Sequence, residues 1–464
     1  MTAARLERWS RVALLAASAA WLAIELGRLV PGGVTARVPG LDRPAGGAEE
    51  ATGPLTGTLT RGDGQPADLR GAWPRFRGER LDNVSVEPVP LARSWSADGP
   101  PRLWSVELGE GYAGAAVRDG RVWVLDYDAS AKADALRCLS LADGREIWRY
   151  GYPVKVKRNH GQSRTVPTVS GDAVVGFGPK SHVTCLDAAT GELRWQLDLV
   201  RDFGATTPPW YAGQCPLVDG DRVILAPGAP DALLLAVDLR SGAVVWRTDN
   251  PQGWGMTHSS IVPATLAGRR MLTYCAKGGV VGVDPADGAL LWKTTEWKIG
   301  IATVPSPVPI GDDRLFLCGG YNAGSLMLRI EREADRMVAR TLWRLGPEVF
   351  GAAQQTPVLY RDHIYGVRPD GQLVCLDLDG RPVWTSGAAH TFGLGPFLVA
   401  QDLVFAMNDD GELTLARASP AGFARLAHAK VLAGAESWGP MALAGGRLLV
   451  RDLTRMVCLD VLGK

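Results

Sequence analysis

Short apolar runs separated by polar turns recur along most of the chain. The run Val183-Thr-Cys-Leu-Asp187 is followed by a polar turn ending in Gly191 and then by a second run that closes on Trp195. The same order returns over residues 136–148, 234–246, 280–292 and 373–384. A copy with a longer, charged turn covers 325–343, another from Leu413 lacks both Asp and Trp, and the last stops at Asp460. The Trp-bearing run missing from that last copy stands ahead of all the others, in residues 102–108. Upstream of each copy, two further runs flank a Gly/Asp turn, as in 165–176, 215–225 and 356–366. Alternating runs of this length, bounded by turn residues, predict strands.

Four strands in a unit of about 47 residues are the mark of a propeller blade. The upstream halves begin at Ala113, Thr165, Cys215, Ile261, Pro305, Thr356, Pro396 and Pro440, which predicts eight blades. If the Trp104 run completes the last blade, no sheet edge is left free between the chain ends. The expected fold is therefore all-β: an eight-bladed β-propeller closed by exchange of N- and C-terminal strands.

The periodicity gives the tryptophans a meaning. Trp104, Trp148, Trp195, Trp246, Trp292, Trp343 and Trp384 stand at intervals of 41 to 51 residues. At the end of an outer strand each indole can pack between blades while its N–H finds a carbonyl. The turn Gly supplies a positive φ. Cys138, Cys185, Cys375 and Cys458 share one repeated strand position, where other copies carry Ala236, Gly282 and Leu328. Such a position is a packing site, and buried free thiols are expected.

Residues 12–30 break the pattern. Arg5, Arg8 and Arg11 precede an apolar run, interrupted by Glu25 and Arg28, that ends at Pro31-Gly32-Gly33. As a helix it would span about 28 Å, enough to cross a hydrocarbon core. Ala17-Ser18-Ala19 is too early for signal cleavage and Val34-Thr35-Ala36 too late, so an uncleaved single-pass anchor is preferred over a removed signal. The expected organisation is a cytoplasmic basic segment (1–11), a transmembrane anchor (12–30), a flexible linker (31–71) and an extracytoplasmic propeller (72–464), placed on the cytoplasmic membrane with its ring on the periplasmic side. With 50 Lys+Arg against 49 Asp+Glu and a net charge of +1, the chain has no electrostatic basis for binding nucleic acid.

Leu186-Asp-Ala-Ala-Thr-Gly-Glu-Leu-Arg-Trp195 resembles the tryptophan-docking repeat of the pyrroloquinoline-quinone (PQQ) type β-propellers. That group takes in quinoprotein alcohol dehydrogenases and the non-catalytic BamB assembly factors. Ala72-Trp-Pro-Arg-Phe-Arg-Gly78 resembles the opening motif of PQQ-like repeat proteins. The resemblance specifies fold far more tightly than activity, because its motif holds blades together. The family's alcohol dehydrogenases stack the quinone on a disulfide between adjacent cysteines and bind calcium; here no two of the seven cysteines are adjacent.

Candidate functional residues lie where loops break the repeat, at the starts of the innermost strands: Arg164, His258, Gln355 and Trp438 are expected at one mouth of the channel. A local basic cluster at 155–160 suits lipid head groups or an acidic partner. No catalytic triad, zinc motif or phosphate loop is present. The resemblance to the BamB factors implies a non-catalytic scaffold that engages other proteins of an envelope or membrane complex; no Cys precedes Cys138 to carry a lipid, so the expected helix over 12–30 is the membrane tether. The alternative is a PQQ- and calcium-dependent dehydrogenase of alcohols or sugars, with the quinone near Arg164, His258 and Trp438. A third reading is a carbohydrate- or peptide-binding module using Trp210, Trp254 and Trp297.

Overall fold

The computed structural model describes residues 55–463 apart from Asp335. The basic segment 1–11, the anchor expected over 12–30 and the linker up to residue 54 lie outside the described residues. Among the described residues no helix is long and apolar enough to cross a membrane.

Eight antiparallel sheets form the eight expected blades. Their innermost strands are Ala115–Arg118, Thr168–Ser170, Leu217–Asp219, Val262–Leu266, Val308–Ile310, Val358–Tyr360, Phe397–Ala400 and Ala442–Ala444, in blades 1 to 8. Apolar faces of successive sheets meet at the seams; between blades 5 and 6, for example, Val308, Phe316, Met327, Phe350, Ile364 and Val374 form one buried cluster. Blade 8 is closed as expected: Arg102–Glu107 pairs antiparallel with Arg455–Asp460, placing Trp104 opposite Cys458. Two buried arginines reinforce that junction. Arg451 donates to the carbonyls of Ala113 (3.1 Å) and Gly109 (3.2 Å). Arg137 donates to Asp126 (2.9 Å), Glu146 (2.6 Å) and the Glu107 carbonyl (3.0 Å).

The seam tryptophans dock on the turn of the next blade. Trp148, fully buried, donates its indole N–H to the Ala188 carbonyl (3.3 Å), and Trp104, Trp195, Trp246 and Trp384 make the same bond to Leu141, Leu239, Pro285 and Ser419. The turn glycine is required twice over. Gly191 has φ +77°, and a Cβ there would stand 2.6 Å from the Trp148 ring. Gly144, Gly242 and Gly288 meet Trp104, Trp195 and Trp246 in the same way. Trp292 faces a blade whose turn is replaced by the long hairpin Gly324–Glu333 and Arg336–Leu345, and its N–H goes instead to the Met271 sulfur (3.1 Å). The small repeated residues are explained by register: Cys138, Cys185, Ala236, Gly282 and Cys375 lie opposite Trp148, Trp195, Trp246, Trp292 and Trp384. In blade 5 the position belongs to Met327, one residue before the Leu328 expected. All seven cysteines are buried free thiols.

A belt of hydrogen bonds links the inner strands along half the ring. The Val166 N–H donates to Cys215 Sγ (3.2 Å), Cys215 N–H to Ser260 Oγ (3.0 Å), Ser260 N–H to Ser306 Oγ (3.1 Å) and Ser306 N–H to Thr356 Oγ1 (2.9 Å). The corresponding residues of blades 7, 8 and 1 are Pro396, Pro440 and Gly114. The prolines have no N–H to give, and a Cβ on Gly114 would come within 2.8 Å of the Pro440 carbonyl oxygen.

The described part of the segment expected to be a flexible linker is instead fastened to the ring. Thr58–Arg61 adds a fifth strand to the outer edge of blade 1. Residues 72–87 then form a strap across the channel at the end remote from the strand starts. Trp73 exchanges backbone hydrogen bonds with Val117 of blade 1, and the Pro74 carbonyl accepts from Val169 N–H of blade 2 (2.7 Å). Arg75 donates to the Val218 carbonyl of blade 3 (3.2 Å), and Arg77 to those of Thr356 and Pro357 of blade 6 (both 3.0 Å). Asn83 donates to the Phe397 carbonyl of blade 7, where Val84–Ser85 also pairs in parallel with Phe397–Ala400. Glu87 accepts from Gly445 N–H of blade 8 (2.7 Å). The opening motif is thus a hub whose partners are inner strands at opposite sides of the ring.

The belt generates a test. Cys215→Ser keeps both donor and acceptor and should change stability little. Cys215→Val matches the shape but strands the buried Val166 N–H, and should cost about 1–3 kcal/mol, read from urea unfolding of the two variants.

Candidate functional site

The segments that lead into the inner strands gather at the open mouth of the channel. Tyr112 precedes blade 1, Arg164 blade 2, Trp210 and Tyr211 blade 3, His258 blade 4 and Trp438 blade 8. Tyr112 and Trp438 stack with ring centroids 5.3 Å apart, and the Arg164 guanidinium lies 5.7 Å over the Tyr112 ring. The Tyr112 hydroxyl donates to Glu436 (2.7 Å) and the Trp438 indole to Asp409 (2.7 Å). His258 lies 6.3 Å from the Trp210 ring. Burial, then the Arg164 charge, holds the His258 pKa down to about 4, so the imidazole is neutral at physiological pH. Burial also lowers the Arg164 pKa to about 10, leaving that group charged. The Tyr112 hydroxyl is pushed well above its usual range by burial and by the Glu436 carboxylate it serves.

Three of the four mouth residues expected from sequence therefore share one cluster. Arg164 and Trp438 meet through Tyr112, and His258 is near enough to Arg164 to feel its charge. Gln355 acts elsewhere, its amide donating to the carbonyls of Gly393 (2.9 Å) and Gly395 (3.0 Å) and so stapling blade 6 to blade 7. Arg164 is also a clamp, since one of its nitrogens donates to the carbonyls of Asn159 (3.3 Å), His160 (3.1 Å) and Gly161 (3.1 Å) and so holds the basic loop in place. The aromatic trio divides. Trp254 and Trp297 are buried at 9% and 2% exposure and cannot form a binding platform, whereas Trp210 is half-buried at the surface. The seven docking tryptophans take their places on the blade seams.

Sequence reasoning passed over two features. Trp210 and Tyr211 are successive residues with positive φ, +64° and +72°, an unfavourable backbone for bulky side chains; the preceding Pro208-Pro209 is the one hint. The second is a buried chain of polar groups between blades 1 and 2. Asp134, with no exposure, accepts from the Tyr152 hydroxyl (2.7 Å); Tyr152 meets the His182 ring edge-on at 5.5 Å, and His182 lies 3.7 Å from Asp198. Gly178 must lack a side chain, because a Cβ would stand 2.4 Å from the Asp134 carboxylate.

Among the described residues no three His, Cys, Asp or Glu side chains gather to hold a metal ion. The polar groups at the mouth are also joined to one another: Glu436 to Tyr112, Asp409 to Trp438. With no adjacent cysteines for stacking, the residues do not fit a calcium-bound quinone of the alcohol dehydrogenase kind.

Comparison with known proteins agrees with the architecture. A family model described as outer membrane protein assembly factor BamB matches residues 131–386, more than half of the chain. The chain is 26% identical over 216 residues to a 1-butanol dehydrogenase (quinone) of Thauera butanivorans, a match covering 41% of this chain and 33% of that protein. It is 23% identical over 257 residues to the outer membrane protein assembly factor BamB of Moranella endobia, covering 52% and 62% respectively. The chain spans less than two thirds of either relative. The crystal structure of BamB from Moraxella catarrhalis matches with a TM-score of 0.53 at 15% identity, over 78% of this chain and 100% of that one. That likeness bears on the fold alone.

The buried carboxyl gives a pH test. Burial raises the Asp134 pKa from 3.8 to about 7, partly offset by the Tyr152 and Ser163 hydroxyls. Between those values the folded chain keeps a proton that the unfolded chain has lost, so Asp134 makes stability fall as pH rises from about 4 to about 7 and adds no slope above. Urea midpoints at about pH 5 and about pH 8 should differ less in Asp134→Asn than in the parent.

Proposed function

We propose, because the chain belongs to the PQQ-like repeat family described as outer membrane protein assembly factor BamB, that it is a non-catalytic scaffold for other proteins of an envelope or membrane complex. One observation carries this reading: the chain's own residues occupy the places where channel chemistry would sit. The strap from Trp73 to Glu87 crosses one end. At the other, Tyr112 lies against Trp438, with Glu436 and Asp409 engaged by those two rings. Beside that filled mouth, Lys155, Lys157 and Arg158 are exposed. On this reading residues 12–30 hold the propeller to the cytoplasmic membrane with the ring on the extracytoplasmic side, supported by the basic flank and apolar run of the sequence.

The match to a quinone-dependent 1-butanol dehydrogenase favours a second reading, an oxidoreductase with PQQ in the channel. Here Arg164 is the cation available to the quinone's carboxylates, and among the described residues no group of His, Cys, Asp or Glu gathers to hold a metal ion.

The two readings separate in one preparation. Full-length chain extracted in mild detergent should bring down a stoichiometric partner subunit. After incubation with PQQ and calcium it should emerge from gel filtration without quinone absorbance. Retained quinone together with alcohol-dependent dye reduction would reverse the assignment.

A further inference from the structure

Next to the Tyr112–Trp438 stack, the loops of blades 1 to 3 carry cations that the chain leaves largely uncompensated. Lys132, Lys155, Lys157 and Arg158 are exposed. Among the described residues the three lysines have no carboxylate partner, while Arg158 pairs with Glu110. Of the other acidic groups on these loops, Asp128 is taken up locally by Ser130 and the Ala131 N–H, Asp202 by Arg201 and Asp231 by Arg247. Lys180 of blade 2 stands 5.5 Å over the Tyr211 ring.

This face is built rather than loose. Arg164 clamps the basic loop from below through three carbonyls. From the side, the Tyr211 hydroxyl donates to the Lys157 carbonyl (2.6 Å), tying the blade 3 loop to the blade 1 loop. The left-handed backbone at Trp210 and Tyr211 sets two half-buried rings beside the lysines. Such strain persists only where the surroundings enforce it, and it gathers at binding sites. Beneath the rings, His258 is 8% exposed and lies 6.3 Å from the Trp210 ring.

We propose that this face of the mouth docks an acidic segment of a partner protein, whose carboxylates meet Lys155 and Lys157 and whose apolar side chain lies on Trp210 and Tyr211. The inference rests on the scaffold reading and adds the chemistry of the partner. Charge complementarity calls for an anionic occupant, and the rings beside the lysines select the kind. A bilayer's anionic head groups would match the exposed lysines alone, whereas one extended chain can set carboxylates on the lysines and an apolar side chain on the half-buried rings.

The test uses the full-length chain in detergent and a fluorescein-labelled dodecapeptide of Glu and Asp around a central Leu. The expected result is saturable binding that weakens with salt. The Gln/Asn version of the peptide should bind about tenfold more weakly or less, as should the acidic peptide to the double variant K155E/K157E. Trp210→Ala should also weaken it, whereas Lys430→Glu, a charge reversal of the same kind on the outer strand of blade 7, should not. Thermal unfolding of each variant checks that the ring is intact. Equal binding of the neutral peptide, full binding by a folded K155E/K157E, or no binding by the parent chain would each overturn the proposal. So would flotation with phosphatidylglycerol vesicles, but not with phosphatidylcholine vesicles, in the absence of peptide binding. If the peptide fails while a partner subunit still co-purifies, this site falls and the scaffold reading stands.

Discussion

The ring depends on one contact, the indole of one blade lying on the turn of the next. A blade alone exposes two apolar faces and cannot bury either against itself. The Trp ring covers the seam where the faces meet, and its N–H settles on a carbonyl that would otherwise be left unpaired at the turn. The contact requires a glycine on one side, as at Gly191 under Trp148, and a small residue across the strand pair on the other, as at Cys138. Trp, turn Gly and small strand residue are thus three parts of one constraint, and they recur with one period because the constraint is local to each seam.

That locality decides what could be read from the sequence. The blade count, the closing strand with Trp104 and the docking tryptophans follow from side chains that repeat. The strap does not repeat, and it is held largely by backbone carbonyls of Val218, Thr356 and Pro357, which every residue type possesses. The strand Thr58–Arg61 pairs through its backbone too, so a run rich in Gly and Thr read as a tether. Trp254 and Trp297 fall outside the period and were candidates for binding; they are buried filling between blades. At the mouth, Arg164, His258 and Trp438 were legible because they break the repeat. Gln355 breaks it as well but spends its amide on Gly393 and Gly395, a distinction that only distance can draw. Asp134 was invisible, because its burial is the work of blade 2.

The two ends of the channel carry different kinds of information. The strap end is made of satisfied backbone and a buried guanidinium, Arg77, whose four bonds all go to carbonyls. Such a guanidinium is fixed in place. The mouth end combines exposed lysines with strained aromatic residues, which are costs to the folded chain unless something outside it makes use of them.

The strap also sets an order of events. It leaves the ribosome before any blade, yet of the six blades that bond to it, three are the last to be synthesised. Until blades 6, 7 and 8 exist, Arg77, Asn83 and Glu87 lack their partners on the ring, and until the Arg455–Asp460 strand arrives the Trp104 strand has no blade to complete. Contacts of such long sequence separation are slow to form. The early blades can stack as they emerge, but the circle must wait, open, for the end of the chain.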